Sequence, residues 1–417
     1  MAVSRERSDA PFDVDAIRRD FPILERRFGD RPLVYLDSAA STQKPRAVLD
    51  AERAFNERHY ANAHRGIYRL AEEATEAYEG ARHAVARFVG ARDPRGVVFT
   101  RGTTEAINLV AHAWGRTFLR PGDEVLLTEM EHHANIVPWQ MAARATGATL
   151  RYIPITEEGL LDLDALPALL GPRTKLVAVT GMSNVLGTIP PLPRIVEAAR
   201  SVGALVLVDG AQVVPHLRID FDALGVDFLV FSGHKMLGPT ASGGLVARVE
   251  HLEAMDPFMT GGEMISEVFT DHATWNEVPY KFEAGTMNIS QEVALGAAIT
   301  YLEGLGMDAV REHEEAITAY ALERMSAAGA RILGPTDVSI RGGVVAFLHP
   351  EVHPHDLATI LDEDGIAVRA GHHCAQLIMR RYGVTATARA SFYVYTTFAE
   401  IDALAESFER AGSVLGF

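Results

Sequence analysis

The stretch ALVLVDGAQVVPHLRIDFDALGVDFLVFSGHK (204–235) holds two short apolar runs, each closing on residues able to do chemistry. ALVLVD ends on Asp209, and DFLVF leads through Ser232, Gly233 and His234 into Lys235. Continuous apolar runs of this length read as strands buried on both faces. The signal repeats upstream in GVVFT (96–100), EVLLTE (124–129), TLRYIPI (149–155) and KLVAVT (175–180). Helical stretches fall between several of them, over 105–116, after Asn135 and over 194–201. Strand–helix alternation predicts an α/β fold with a mainly parallel sheet. Ligands bind such sheets beyond the carboxyl ends of the strands.

Beyond Ile289 the pattern changes. A helical stretch over 291–328 leads to VVAFLH (344–349), a helix in HPHDLATILDEDG (353–365), strands in AVRAG (367–371) and ASFYVY (390–395), and a last helix over 401–410. The expected organisation is an N-terminal arm over 1–30 that packs with the small domain, its short helix capped by Asp13 or Asp15. A large domain over 31–295 and a smaller α+β domain over 296–417 follow, the latter carrying Cys374.

Composition narrows the function. The 417 residues carry 39 basic and 55 acidic side chains, a formal charge of −16, and no Lys/Arg cluster stands out, which disfavours a nucleic-acid binder. The start lacks a signal-peptide core, and no apolar run approaches the roughly 18 residues of a membrane span, so no membrane role is expected and the default is a cytoplasmic enzyme. The lone cysteine excludes a disulfide framework and a Cys-rich zinc site. Only four lysines occur, Lys44, Lys175, Lys235 and Lys281. Any thiol chemistry must use Cys374, and any lysine chemistry one of those four.

The residues after each strand carry the candidate chemistry. Gly102, Thr103 and Thr104 form a turn opening a helix, suited either to a phosphate or to ordinary capping. His132 and His133 are adjacent and so project in different directions; no HExxH pattern or local cysteine accompanies them, and no metal site is expected. One of these rings can instead stack on an aromatic ligand. Asp209 suits a protonated ring nitrogen, with helix capping as the alternative reading. Lys235 lies at a strand end among glycines and apolar residues, where desolvation frees its amine as a nucleophile. Lys175 precedes its strand, at the wrong end, and Lys44 and Lys281 lie in loop-like stretches. An acid for a ring nitrogen, a lysine for an aldehyde, a phosphate cradle and a stacking histidine are together the demands of pyridoxal 5′-phosphate.

The segments YLDSAASTQKP (35–45), ANAHRGIYRLA (61–71), RGTTEAINLVA (101–111), MEHHANIVPWQ (130–140), SNVLGT (183–188), VDGAQ (208–212), FSGHKMLGPT (231–240), FEAGTMN (282–288) and VRAGHHCAQ (368–376) resemble, in order, those of the SUF-type (group II) cysteine desulfurases. These are class V aminotransferase relatives of the PLP-dependent transferase fold type I, related to selenocysteine lyases. GPTASGGLVAR (238–248) departs slightly from that family's glycine pattern, and the short spacing from Ala370 to Cys374 is similar to the group's ordered cysteine loop. The resemblance implies a seven-stranded, mainly parallel sheet and a homodimer. Lys235 would bind the cofactor aldehyde, Asp209 the pyridine nitrogen and Gln212 the phenolate oxygen, with His132 stacked on the ring. Thr103, Thr104, Ser232 and His234 would hold the phosphate, joined by Thr286 from the neighbouring subunit. Asn184, Arg369 and Arg389 would face the substrate, Arg389 as a bidentate carboxylate clamp. Ala39, Ala40, His64 and Arg65 would line the entrance. Cys374 would accept sulfur from L-cysteine, and neighbouring imidazoles or arginines favour its reactive form. The implied product pair is L-alanine and a persulfide, passed to a SufE-like or SufU-like acceptor for iron–sulfur cluster assembly. A selenocysteine lyase acting on L-selenocysteine is the alternative on the same scaffold.

Overall fold

The computed structural model describes residues 12–414. Its centre is a seven-stranded sheet: β1 Val97–Phe99, β2 Glu124–Thr128, β3 Thr149–Ile153, β4 Thr174–Thr180, β5 Leu205–Asp209, β6 Phe228–Ser232 and β7 Gly243–Ala247, in the order β1-β7-β6-β5-β4-β2-β3. Strands β2 to β6 pair in parallel, and β7 runs antiparallel between β1 and β6. Interior strands are buried almost throughout, while the edge strand β3 is half-exposed. That explains apolar runs without polar alternation.

Alternate residues of each strand feed two separate cores, as the period of two in a strand requires. Leu126, Val206 and Val208 pack on one face with Tyr78, Ile195 and Leu295. Val125, Leu127 and Leu207 pack on the other with Ile107 and Trp139. The first face is covered by α3 Arg69–Phe88, α6 Leu192–Ser201 and α7 Ile289–Leu305, with α2 Arg46–Arg58 packed on α7. The second is covered by α4 Thr103–Val110 and α5 Val137–Thr146.

A four-stranded antiparallel sheet follows, β8 Arg331–Leu333, β9 Val344–Leu348, β10 Arg369–Gly371 and β11 Thr387–Ser391, ordered β8-β9-β11-β10. Val345, Phe347 and Ala390 pack with Ile317 of α8 Met307–Ala327, Leu361 of α9 Pro354–Glu363 and Phe408 of α10 Phe398–Val414. The short helix α1 Val14–Arg18 is capped by Asp13, whose carboxylate accepts from Ala16 N at 3.0 Å. Arg18 pairs with Glu400 at 3.0 Å, and Val34–Tyr35 pairs in parallel with Ile366–Ala367. The beginning of the predicted arm, residues 1–11, lies outside the described residues.

Several sequence expectations need correction. The stretch 291–328 is two helices, α7 and α8, bent by 75° at a break on Gly306, whose φ of +81° suits a residue without a side chain. ASFYVY is a strand only to Ser391; Phe392–Tyr395 turns through the interior, and Tyr393 Oη donates to Pro215 O at 2.9 Å. AVRAG splits, Ile366–Ala367 pairing with the N-terminal segment and Arg369–Gly371 with β11. Strand β7 was not expected, and α2 and α3 lie where strand–helix alternation gave no reading. No single helix among the described residues is long and apolar enough to cross a membrane.

Candidate active site

The carboxyl ends of β2, β4, β5 and β6 and the start of α4 converge on a cavity of about 200 Å³. Lys235 follows β6 directly and faces this space. Among the described residues its Nζ has no hydrogen-bond partner. The other three ammonium groups are tied to carbonyls: Lys44 to Thr42 O, Lys175 to Pro172 O at 2.9 Å and Lys281 to Glu253 O at 3.0 Å. Burial pushes Lys235 down to about 8, and Asp209 opposes this only partly. Near physiological pH a minor but appreciable fraction of the amine is therefore neutral, as a nucleophile or base requires.

Asp209 closes β5 with its carboxylate buried, Oδ1 accepting from Ala211 N at 3.0 Å. Burial raises its pKa, so the site favours a cationic partner that would hold the charge. Gln212 gives Nε2 to Ala39 O at 2.8 Å, and its buried Oε1 has no partner. His132 accepts from Ala134 N through Nδ1 at 3.0 Å, so its neutral ring carries the proton on Nε2. Burial, then the charges of Lys235 and the nearby basic groups, push His132 down to about 3.

Gly102, Thr103 and Ser232 lie together at the start of α4. Thr103 N donates to Ser232 Oγ at 2.9 Å, and Ser232 Oγ donates to Thr103 Oγ1 at 2.9 Å. Gly102 has φ +130°, and a Cβ there would sit 2.9 Å from Ser232 Oγ. Thr103, Thr104, Ser232 and His234 also line an adjoining cavity of about 490 Å³. The N–H groups at the start of α4 beyond Thr103, whose own N–H is committed to Ser232, suit a phosphate.

Ala39, Ala40, Asn184, Arg369 and Arg389 form the opposite wall. Arg389 differs from the expected open clamp. It is 1% exposed, Nη2 binds Asp37 Oδ1 at 2.8 Å, Nη1 binds Asn184 O at 2.9 Å, and Nε has no partner. A carboxylate entering here would have to share this guanidinium with Asp37, a residue sequence reasoning missed. Thr180, Met182 and His373 also line the cavity and were not singled out; only His373, beside the cysteine, carried any local signal.

Cys374 is half-buried and does not line the cavity itself, but its loop is fastened to the wall. Asn184 Nδ2 donates to His373 O at 2.7 Å, and His133 N donates to Cys374 O at 2.7 Å. His373 and Cys374 both have positive φ, 51° and 56°, a costly conformation for side-chain-bearing residues that the fastened loop maintains.

His64, Arg65 and Thr286 are not brought to Lys235 within this chain. His64 lines a separate cavity with Gly285 and Met287, held there by Glu79 at 2.9 Å. Arg65 is exposed and pairs with Glu263 at 2.7 Å, and Thr286 is exposed.

Residues 34–404 match the family described as aminotransferase class-V. The chain belongs to the class-V aminotransferase family. It is 50% identical to a probable cysteine desulfurase of Halalkalibacterium halodurans, over 96% of this chain and 98% of that one. The crystal structure of the cysteine desulfurase CsdA from Escherichia coli superposes with a TM-score of 0.90 at 40% identity, covering 97% of this chain and all of that one. A structure of C-DES with glycine covalently linked to its PLP cofactor has a TM-score of 0.80 at 25% identity, covering 94% and 98%.

Proposed function

We propose that this class-V aminotransferase family member is a PLP-dependent cysteine desulfurase. It converts L-cysteine to L-alanine and retains the sulfur as a persulfide on Cys374. The observation that carries the reading is the juxtaposition of an unpaired, partly neutral Lys235 with the chain's one thiol, whose loop is pinned to the same cavity wall.

The residues fit the cofactor. Gln212 Oε1 and Arg389 Nε are buried polar atoms without partners on the cavity wall, and a polar ligand would satisfy such groups. Asp209 would hold a proton on the pyridine nitrogen, His132 would stack on the ring, and Thr103, Thr104, Ser232 and His234 would hold the phosphate. When bound, pyridoxal 5′-phosphate supplies an aldehyde for amines and a conjugated ring that accepts an electron pair from the substrate's Cα.

The chain's own groups do the rest. Arg369 and Arg389 bind the substrate carboxylate, with Asn184 holding Arg389 in place. Lys235 takes the Cα proton as general base and carries it within the cavity. The His132 Nε2–H is a hydrogen-bond donor that this wall offers the substrate. The Cys374 sulfur attacks the substrate sulfur, forming an S–S bond as the Cβ–S bond breaks. The electron pair of that bond goes to Cβ, which takes a proton to become the alanine methyl group. L-cysteine plus one thiol thus gives L-alanine plus one persulfide, with atoms and electrons balanced.

The names of the similar proteins support cysteine over selenocysteine as substrate. We infer further that the enzyme is a homodimer in which Thr286 meets the partner's phosphate site and His64 and Arg65 lie at a shared entrance. The persulfide then passes to a SufE-like or SufU-like acceptor serving iron–sulfur cluster assembly in a SUF-type route. Incubation with L-cysteine, pyridoxal 5′-phosphate and dithiothreitol tests the activity: equal amounts of alanine and sulfide are expected, and pyruvate with sulfide would overturn it.

A further inference from the structure

His132 and His133 diverge, with ring centroids 6.3 Å apart, and only His132 lines the Lys235 cavity. His133 turns instead to the cysteine loop. One ligand atom each from His133, His372 and Cys374 lie within 4.8 Å of one another. We propose that these three side chains form a binding site for a thiophilic divalent cation of the zinc class, placed on the thiol that accepts sulfur.

The loop geometry supports the cluster. His133 and His372 face each other with ring centroids 5.5 Å apart. Gln376 N donates to His133 Nε2 at 3.1 Å, Cys374 N donates to His372 Nδ1 at 3.1 Å, and His133 N donates to Cys374 O. Each imidazole thus already presents a lone pair to an exposed backbone N–H, which is the neutral form a cation needs.

Two imidazoles with a thiolate select zinc-like ions over magnesium or calcium. Bonds of about 2.0–2.1 Å to nitrogen and about 2.3 Å to sulfur require the ligand atoms to draw closer than they now stand. His372 is exposed, so no packed side chain has to give way for its ring to move. Binding releases the thiol proton to solvent, and the fourth position stays open for water. Such an ion ties up the Cys374 lone pairs, so the site is a point of metal inhibition; this consequence rests on the persulfide role proposed above, whereas the binding itself does not.

The test is zinc titration of the reduced holoenzyme, with X-ray absorption at the zinc edge. One zinc per chain is expected, with one sulfur at about 2.3 Å and two imidazole nitrogens at about 2.0–2.1 Å. His133→Asn and His372→Asn should each weaken binding by at least the ~10–100-fold typical of losing even an outer partner, and Cys374→Ser should remove the sulfur neighbour. Retained cofactor absorbance and circular dichroism establish that each variant is folded; His372→Gln serves as a second variant at that position. Zinc should also suppress alanine formation by the wild type, and His372→Asn should need correspondingly more zinc. A shell without sulfur, fewer than two imidazoles, or binding unchanged in His372→Asn and His372→Gln would overturn the site. An intact zinc shell in a protein that makes no alanine would overturn the desulfurase reading alone.

Discussion

Lys235 differs from the other three lysines in having its ammonium uncommitted, and its pH behaviour follows. A pKa lowered to about 8 means that the neutral amine grows as pH rises through that value. The rate at which the cofactor-free protein takes up pyridoxal 5′-phosphate should therefore rise through about pH 8 and flatten above it. Stopped-flow absorbance checks this, and a rate independent of pH between 6 and 9 would count against it. Borohydride reduction followed by peptide mapping should place the cofactor on Lys235 and on no other lysine. Lysine scarcity and strand-end position made this residue legible in the sequence. Asp37 was not legible, because its importance comes from a buried arginine far along the chain. The meeting of His133 with Cys374 was hidden for the same reason: adjacent residues show local spacing, not a partner brought over by another loop.

At the scale of elements, strand ends and the turns after them hold the site. Glu131 is fully buried after β2 and accepts from Thr128 Oγ1 at 2.6 Å, Asn135 Nδ2 at 2.7 Å and Thr180 N at 2.9 Å. It fixes the turn that presents His132. Glu131→Ala strands these buried donors at about 1–3 kcal/mol each, so the midpoint of chemical unfolding should fall clearly. Gly102→Ala tests the proposed phosphate cradle, since its Cβ would press on Ser232 Oγ at a positive φ. Cofactor dissociation should become about tenfold or more easier by equilibrium dialysis, the loss expected where backbone N–H groups are moved off a phosphate; unchanged affinity would remove Gly102 from the cradle. The parallel strands were readable because burial on both faces leaves unbroken apolar runs. Strand β7 was not, because its sequence opens on two glycines and it runs against its neighbours. Phe392–Tyr395 misled because buried aromatics imitate a strand even when they line a turn.

At the scale of the molecule, the −16 formal charge contrasts with a cavity where Lys235, Arg369 and Arg389 converge. Low-dielectric walls focus such local charge, which suits a phosphate and a carboxylate in an acidic protein. Thr286, His64 and Arg65 are predicted site residues that, unlike the loop of Cys374, one chain neither places in the cavity nor fastens to its wall. Sedimentation should therefore find a homodimer, and Thr286→Ala should weaken cofactor binding without breaking it; a fully active monomer would refute the shared site. The most direct measurement is a single turnover with L-cysteine and no reductant, comparing wild type with Cys374→Ala by mass spectrometry and alanine assay. Wild type should form alanine in step with one added sulfur atom on the Cys374 peptide. Cys374→Ala should keep its cofactor and bind cysteine, yet lose alanine formation by about a hundredfold or more. Alanine formed by the variant at the wild-type rate, or by the wild type with no sulfur on Cys374, would contradict the persulfide role.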